Sequence, residues 1–93
     1  MRFIKEQRLI IIDDNVFIHL TVKEAEIFDI LLNNEKEICS FEKFNVILET
    51  EKAALRTSIN RLNKKVGKYV NITAITNKGY KLVLKEGHNV SRV

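Results

Sequence analysis

Glu51-Lys52-Ala53-Ala54-Leu55-Arg56-Thr57-Ser58-Ile59-Asn60-Arg61-Leu62-Asn63-Lys64-Lys65-Val66-Gly67 is the stretch on which the reading of this chain turns. Leu55, Ile59, Leu62 and Val66 are spaced by four, three and four. On an α-helix they fall within about 60° of arc, as one apolar seam. The spacing predicts a helix over 52–66, with Gly67 free to take a left-handed cap. The opposite face carries Ala53, Thr57, Asn60, Arg61, Lys64 and Lys68. One face fixes the helix to a core. The other offers short polar groups near its start and long cations near its end. Amphipathic surface helices usually alternate Glu with Lys for pairing one turn apart, but this helix has no acid after Glu51. Such a face suits a major groove, where Thr and Asn reach base edges and Arg and Lys reach bases or phosphates.

The charge distribution extends this pattern beyond the helix. The net charge is +4, yet residues 1–51 hold six bases against eleven acids, whereas residues 52–85 hold nine bases and no acid. Solvated surfaces mix both signs. A basic half without acids suggests a polyanion, and nucleic acid is the common one.

Outward from the helix, period-2 patterns lie at both ends of the chain. Leu9–Ile12 and Val16–Leu20 read as a hairpin around Asp13, Asp14 and Asn15, and Met1–Lys5 as a further strand. Thr21 and Glu24 form a capping box that opens a first helix, with Val22, Ala25, Phe28, Leu31 and Leu32 at helical spacing and Ile27 beside them. Asn33 and Asn34 end it. Ser40 caps a short second helix whose stripe is Phe41, Phe44, Ile47 and Leu48. Strands return at Tyr69–Ile75 and Tyr80–Leu84 around a turn at Thr76–Gly79, where Gly79 is free to take positive φ. The expected class is α+β: a hairpin, three helices, a hairpin.

Ninety-three residues form one domain, divided as an N-terminal sheet over 1–20, a helical core over 21–68 and a hairpin over 69–85. With 45% hydrophobic and 30% charged residues the chain reads as globular. Its longest apolar runs, such as Leu9–Ile12, are far too short for a membrane span or a signal-peptide core, so a cytoplasmic protein without a membrane partner is expected. Cys39 is the one cysteine and reads as a buried thiol. His19 and His88 have no second ligand at metal spacing, so neither a metal nor a cofactor is expected. Asp13 and Asp14 read as turn formers rather than a phospho-acceptor pair. No nucleophile–base set or glycine-rich phosphate loop is evident, and an enzyme is not expected.

Four motifs in order resemble a known family. Leu20-Thr21-x-x-Glu24-x-x-Ile27-Phe28-x-x-Leu31 is similar to the first-helix signature of the OmpR/PhoB-type winged-helix domain, the effector half of many bacterial two-component response regulators. Ser40-x-x-x-Phe44 resembles the start of its second helix. Ile59-x-Arg61-Leu62-x-Lys64-Lys65-Val66 resembles its recognition helix, and Ile72-x-x-Ile75-x-x-x-Gly79-Tyr80-Lys81-Leu82 its wing. The resemblance spans residues 9–84. It implies duplex DNA binding by a transcription regulator, with helix 52–66 in the major groove and hairpin 70–84 at the minor groove. Ser58, Asn60, Arg61 and Asn63 match positions that contact DNA in the family, Thr57 one that touches a thymine methyl, and Thr76 the wing arginine. Arg56, Lys64, Lys65, Lys68, Asn77 and Lys78 complete the expected DNA-binding set. Tyr80 matches a packing tyrosine.

The chain also departs from the pattern. Asn63 replaces an arginine of the recognition helix, and Thr76-Asn77 replaces the wing's Arg-Gly, which removes two phosphate-type contacts. Only Glu49–Glu51 separates the second and third helices, where the family has a longer loop that often contacts RNA polymerase. No receiver domain accompanies the effector pattern, which suggests an excised effector domain or a stand-alone regulator. Duplex DNA is therefore the expected partner, with a second copy on the DNA as a further candidate. The alternative is a winged-helix protein-interaction module with a degenerate DNA face. A single-strand or RNA binder is disfavoured, because the basic half offers few aromatics beyond Tyr69 and Tyr80 for stacking.

Overall fold

A computed structural model describes residues 1–92. The chain begins with β1 (Arg2–Ile4), a short 3-10 turn, β2 (Leu9–Asp13) and β3 (Val16–His19). Then come α1 (Val22–Asn33), β4 (Ile38–Ser40), α2 (Phe41–Leu48) and α3 (Lys52–Val66). It closes with β5 (Val70–Ile75), β6 (Gly79–Leu84) and β7 (Ser91–Arg92). One sheet has the order β3-β2-β1-β7, with β1, β2 and β3 antiparallel and β7 parallel to β1. The other is antiparallel, in the order β4-β6-β5. The three α-helices lie in the chain between β3 and β5, with β4 between α1 and α2.

The α+β order expected from the sequence holds, with two strands added. β4 is three residues, too short to show a period, and it is a strand because it pairs with the wing: Ile38 opposite Lys81, Cys39 opposite Tyr80, Ser40 opposite Gly79. Gly79 takes the expected positive φ, at 159°, and this pairing gives a second reason for glycine there. A Cβ there would lie 1.9 Å from the Cys39 carbonyl oxygen. The left-handed residue of the turn is Asn77, at φ 60°. Gly67 departs from expectation. It keeps a helical φ of −60°, and its N–H donates to the Asn63 carbonyl at 2.8 Å. At the chain end, β7 pairs with the edge of β1, and Arg92 forms an ion pair with Asp29.

The capping signals act as read. The Thr21 N–H donates to Glu24 Oε1 at 2.8 Å, and the Glu24 N–H donates to Thr21 Oγ1 at 3.1 Å. The Lys43 N–H donates to Ser40 Oγ at 3.1 Å. In the β2–β3 turn the Asn15 N–H donates to Asp13 Oδ1, so this aspartate serves the turn. The core gathers Phe3 and Ile10 from the first sheet, Ile27, Phe28 and Leu31 from α1, Phe44 from α2, the α3 seam, and Val70 and Leu82 from the wing. Phe3 and Phe28 meet edge to face at 5.0 Å. Two expected stripe residues stand outside this core: Val22, in the first turn of α1, is 54% exposed and Ile47 is 53% exposed. α1 buries Ile27, as expected, and adds Ile30.

Glu24 is the polar centre of the fold. Its side chain is buried, and Oε1 also accepts from Lys65 Nζ at 2.7 Å. Lys65 Nζ donates in addition to the His19 carbonyl at 3.0 Å. One ammonium thus joins α3 to the end of β3 and to the start of α1. Burial alone would raise the Glu24 carboxyl. The Lys65 ammonium and the bonds from Thr21 outweigh it and hold the group below its ordinary value of 4.5. A depressed carboxyl stabilises the fold above its unfolded pKa, and that contribution is lost as pH falls through the lower folded value. Denaturant titration across the acid range should therefore show stability declining from about pH 4.5 downward, with Glu24→Gln lacking this decline. Lys65→Ala should cost about 1–2 kcal/mol at neutral pH, a figure that allows for solvent screening of the half-open ammonium.

Candidate nucleic-acid interface

α3 meets the core along Leu55, Ile59, Leu62 and Val66, each at most 2% exposed. Its other side is open: Arg56, Thr57, Asn60, Arg61 and Lys64 are exposed, and Ser58 is half-buried. Thr57 Oγ1 donates to the Ala53 carbonyl at 3.2 Å, so the hydroxyl is already used within its own helix. Lys68 is exposed in the turn after α3 rather than on the helix. Thr76, Asn77 and Lys78 are exposed at the tip of the β5–β6 hairpin. That tip is tied down from two sides: the Lys78 N–H donates to the Ile75 carbonyl, and the Phe41 N–H donates to the Lys78 carbonyl, both at 3.0 Å. Tyr80 is buried beneath it, edge to face with Phe41 at 5.9 Å and Phe44 at 6.3 Å.

Two residues expected on the open face turn towards the protein. Lys65 is committed to Glu24 and the His19 carbonyl. Asn63 is half-buried, and its Nδ2 donates to the Ile72 carbonyl at 3.2 Å, a bond between α3 and β5. Its amide therefore braces the helix against the hairpin. Lys52 is a cation that sequence reading left out. Its ammonium lies 4.6 Å from the centroid of the Phe41 ring, one helical turn before Arg56. Its four-residue spacing from Arg56 was the available signal. Cys39 is buried, and desolvation pushes its thiol up, a little further with Glu37 nearby and less with Lys43. Among the described residues, no three His, Cys, Asp or Glu side chains are grouped to hold a metal. Among them, too, no helix is long and apolar enough to cross a membrane.

No protein-family model matches the chain, and no curated protein matches it. Among solved structures it is similar to the C-terminal domain of the nisin resistance regulator NsrR, a lantibiotic response regulator. The two are 25% identical and superpose with a TM-score of 0.73, over 86% of this chain and 89% of that one. The chain has the winged-helix fold of that domain, which is of the OmpR/PhoB type. In winged-helix terms α3 is the recognition helix, β5–β6 is the wing, and β4 completes the wing sheet.

The Asn63 bond is one tie between the wing of this winged-helix domain and its recognition helix. Asn63→Ala should cost about 0.5–1.5 kcal/mol in thermal or denaturant unfolding. Amide exchange should rise along Val70–Ile75 more than along α1, because the variant leaves the Ile72 carbonyl without this partner. Equal protection in the variant and the parent would assign the bond no structural weight.

Proposed function

We propose that this winged-helix domain binds specific duplex DNA as a bacterial transcription regulator, with α3 in the major groove and the wing at the neighbouring minor groove. The observation that carries the reading is the one-sided burial of α3. Its seam is fully covered, while the face bearing Thr57, Asn60, Arg61 and Lys64 meets only solvent. Similarity to a response-regulator domain supports the same class of function. The nine bases of residues 52–85, with no acid among them, supply the sequence-independent attraction for a duplex. On the open face Asn60 suits adenine and Arg61 suits guanine, each through paired hydrogen bonds, and the Thr57 methyl suits a thymine methyl. Arg56, Ser58, Lys64 and Lys68, with Thr76, Asn77 and Lys78 of the wing, serve as phosphate or sugar contacts that set the register. Asn63 and Lys65 hold the reading helix in place from behind. The reading involves no catalytic step and places the protein in the cytoplasm, where a chromosome is its partner.

Binding-site selection followed by affinity measurement tests this assignment. Asn60→Ala and Arg61→Ala should each cost about 1–3 kcal/mol at the selected site and relax preference at one base position. Neither should lower the melting temperature, since neither side chain belongs to the seam. An Arg61→Ala protein that keeps the parent consensus and loses affinity uniformly would make Arg61 a phosphate contact. A parent protein with no affinity for duplex at low salt would overturn DNA binding and favour the protein-interaction reading.

A further inference from the structure

Between the first turn of α3 and the wing tip the surface dips into a cleft bordered by Phe41, Lys52, Arg56, Thr76, Asn77 and Tyr80. None of the residues lining it is acidic. The adjoining recess runs on to Ser40 and Lys78, with Glu42 as its one acid. Lys52 and Arg56 are one helical turn apart and therefore share a face of α3. The Lys52 ammonium is held over the Phe41 ring at 4.6 Å. That contact limits the freedom of a side chain which otherwise surrenders much rotamer entropy on binding.

The cleft has a counterpart in DNA. With a helix in the major groove and a hairpin on the adjacent minor groove, a sugar–phosphate strand runs between the two elements, because that strand divides the grooves. In this protein the space between the same two elements is the acid-free cleft. We infer that the cleft is a seat for the phosphate backbone of the dividing strand, with Lys52 and Arg56 as its cations and Phe41 as the residue that positions Lys52. The inference rests on the function proposed above and adds Lys52 as a DNA contact, with Phe41 positioning it. It also accounts for a wing with Thr76-Asn77 where the resembled family has Arg-Gly: Lys52 and Arg56 of α3 supply charge that those two residues do not carry.

The test is the salt dependence of affinity for a random-sequence duplex, measured by fluorescence anisotropy between about 50 and 200 mM salt. The proteins compared are the parent, Lys52→Gln, Lys52→Arg, and Arg2→Gln on β1 as a charge-matched control. Each phosphate contact to B-DNA adds roughly 0.9 to the slope of log affinity against log salt, so Lys52→Gln should flatten the slope by about one and weaken binding threefold to tenfold at about 0.15 M. Lys52→Arg should restore the slope, and Arg2→Gln should keep it. All four proteins should melt together. A Lys52→Gln protein with the parent slope overturns the seat and leaves DNA binding standing, since the parent still binds. So does a Lys52→Gln protein that loses stability instead, which would make Lys52 a cover for Phe41. A parent protein that does not bind duplex overturns the proposed function and the seat together.

Discussion

α3 is clamped from one side. Leu55, Ile59, Leu62 and Val66 are buried together, and fully burying side chains of this kind is worth about 1.5–3 kcal/mol each before the entropy of ordering them is set against it. The rest of the arrangement depends on this clamp. Rotating α3 by one residue, about 100°, would carry members of the seam into water and press Arg56 or Asn63 into the core without partners. The face that bears Thr57, Asn60 and Arg61 is open because the seam is satisfied, and it points one way because the seam admits one rotation.

Apolar contact fixes that rotation, and polar links fix what surrounds it. Lys65 reaches past the end of the seam to Glu24 and the His19 carbonyl, which pins the start of α1 and the last residue of β3 to the same helix. Asn63 holds β5 through the Ile72 carbonyl, and Lys85 from beyond β6 donates to the Gly67 carbonyl at 2.5 Å. Asn63 thus has a structural side: its amide is bonded to the wing strand. β4 completes the frame. It threads against Gly79 so closely that only a residue without a Cβ fits there, and it delivers Ser40 to cap α2 directly beneath the wing tip.

The parts of this fold that were legible in the sequence were those set by neighbours in the chain. The bounds of α3 follow from a four-three-four seam, the start of α1 from Thr21 and Glu24, and the start of α2 from Ser40. Each is a local pattern with a local cause. The parts that were not legible are set at long range. β4 is a strand through its partner 40 residues away, and β7 through the edge of β1. Lys65 reads as one more cation of a basic helix until the fold brings it to a buried carboxylate 41 residues upstream. Val22 and Ile47 fit their helical stripes by spacing, yet they stand where no second layer covers them. The candidate interface was legible in outline, since the open face of α3 is the complement of its seam. The inward turn of Asn63 and Lys65 and the seat of Lys52 over Phe41 were not.

The central claim is that the uncovered face of α3 meets a duplex while the rest of the domain stays as it is. Titrating the isotope-labelled protein with a short duplex and following backbone amide shifts tests it most directly. The account predicts perturbations concentrated at Thr57, Asn60, Arg61 and Lys64 and at the wing tip over Thr76, Asn77 and Lys78. The amides of Ile10, Phe28 and Leu31 should stay in place. Shifts centred on Val46 and Ile47 of α2 or on the β1–β3 sheet, with α3 silent, would contradict it.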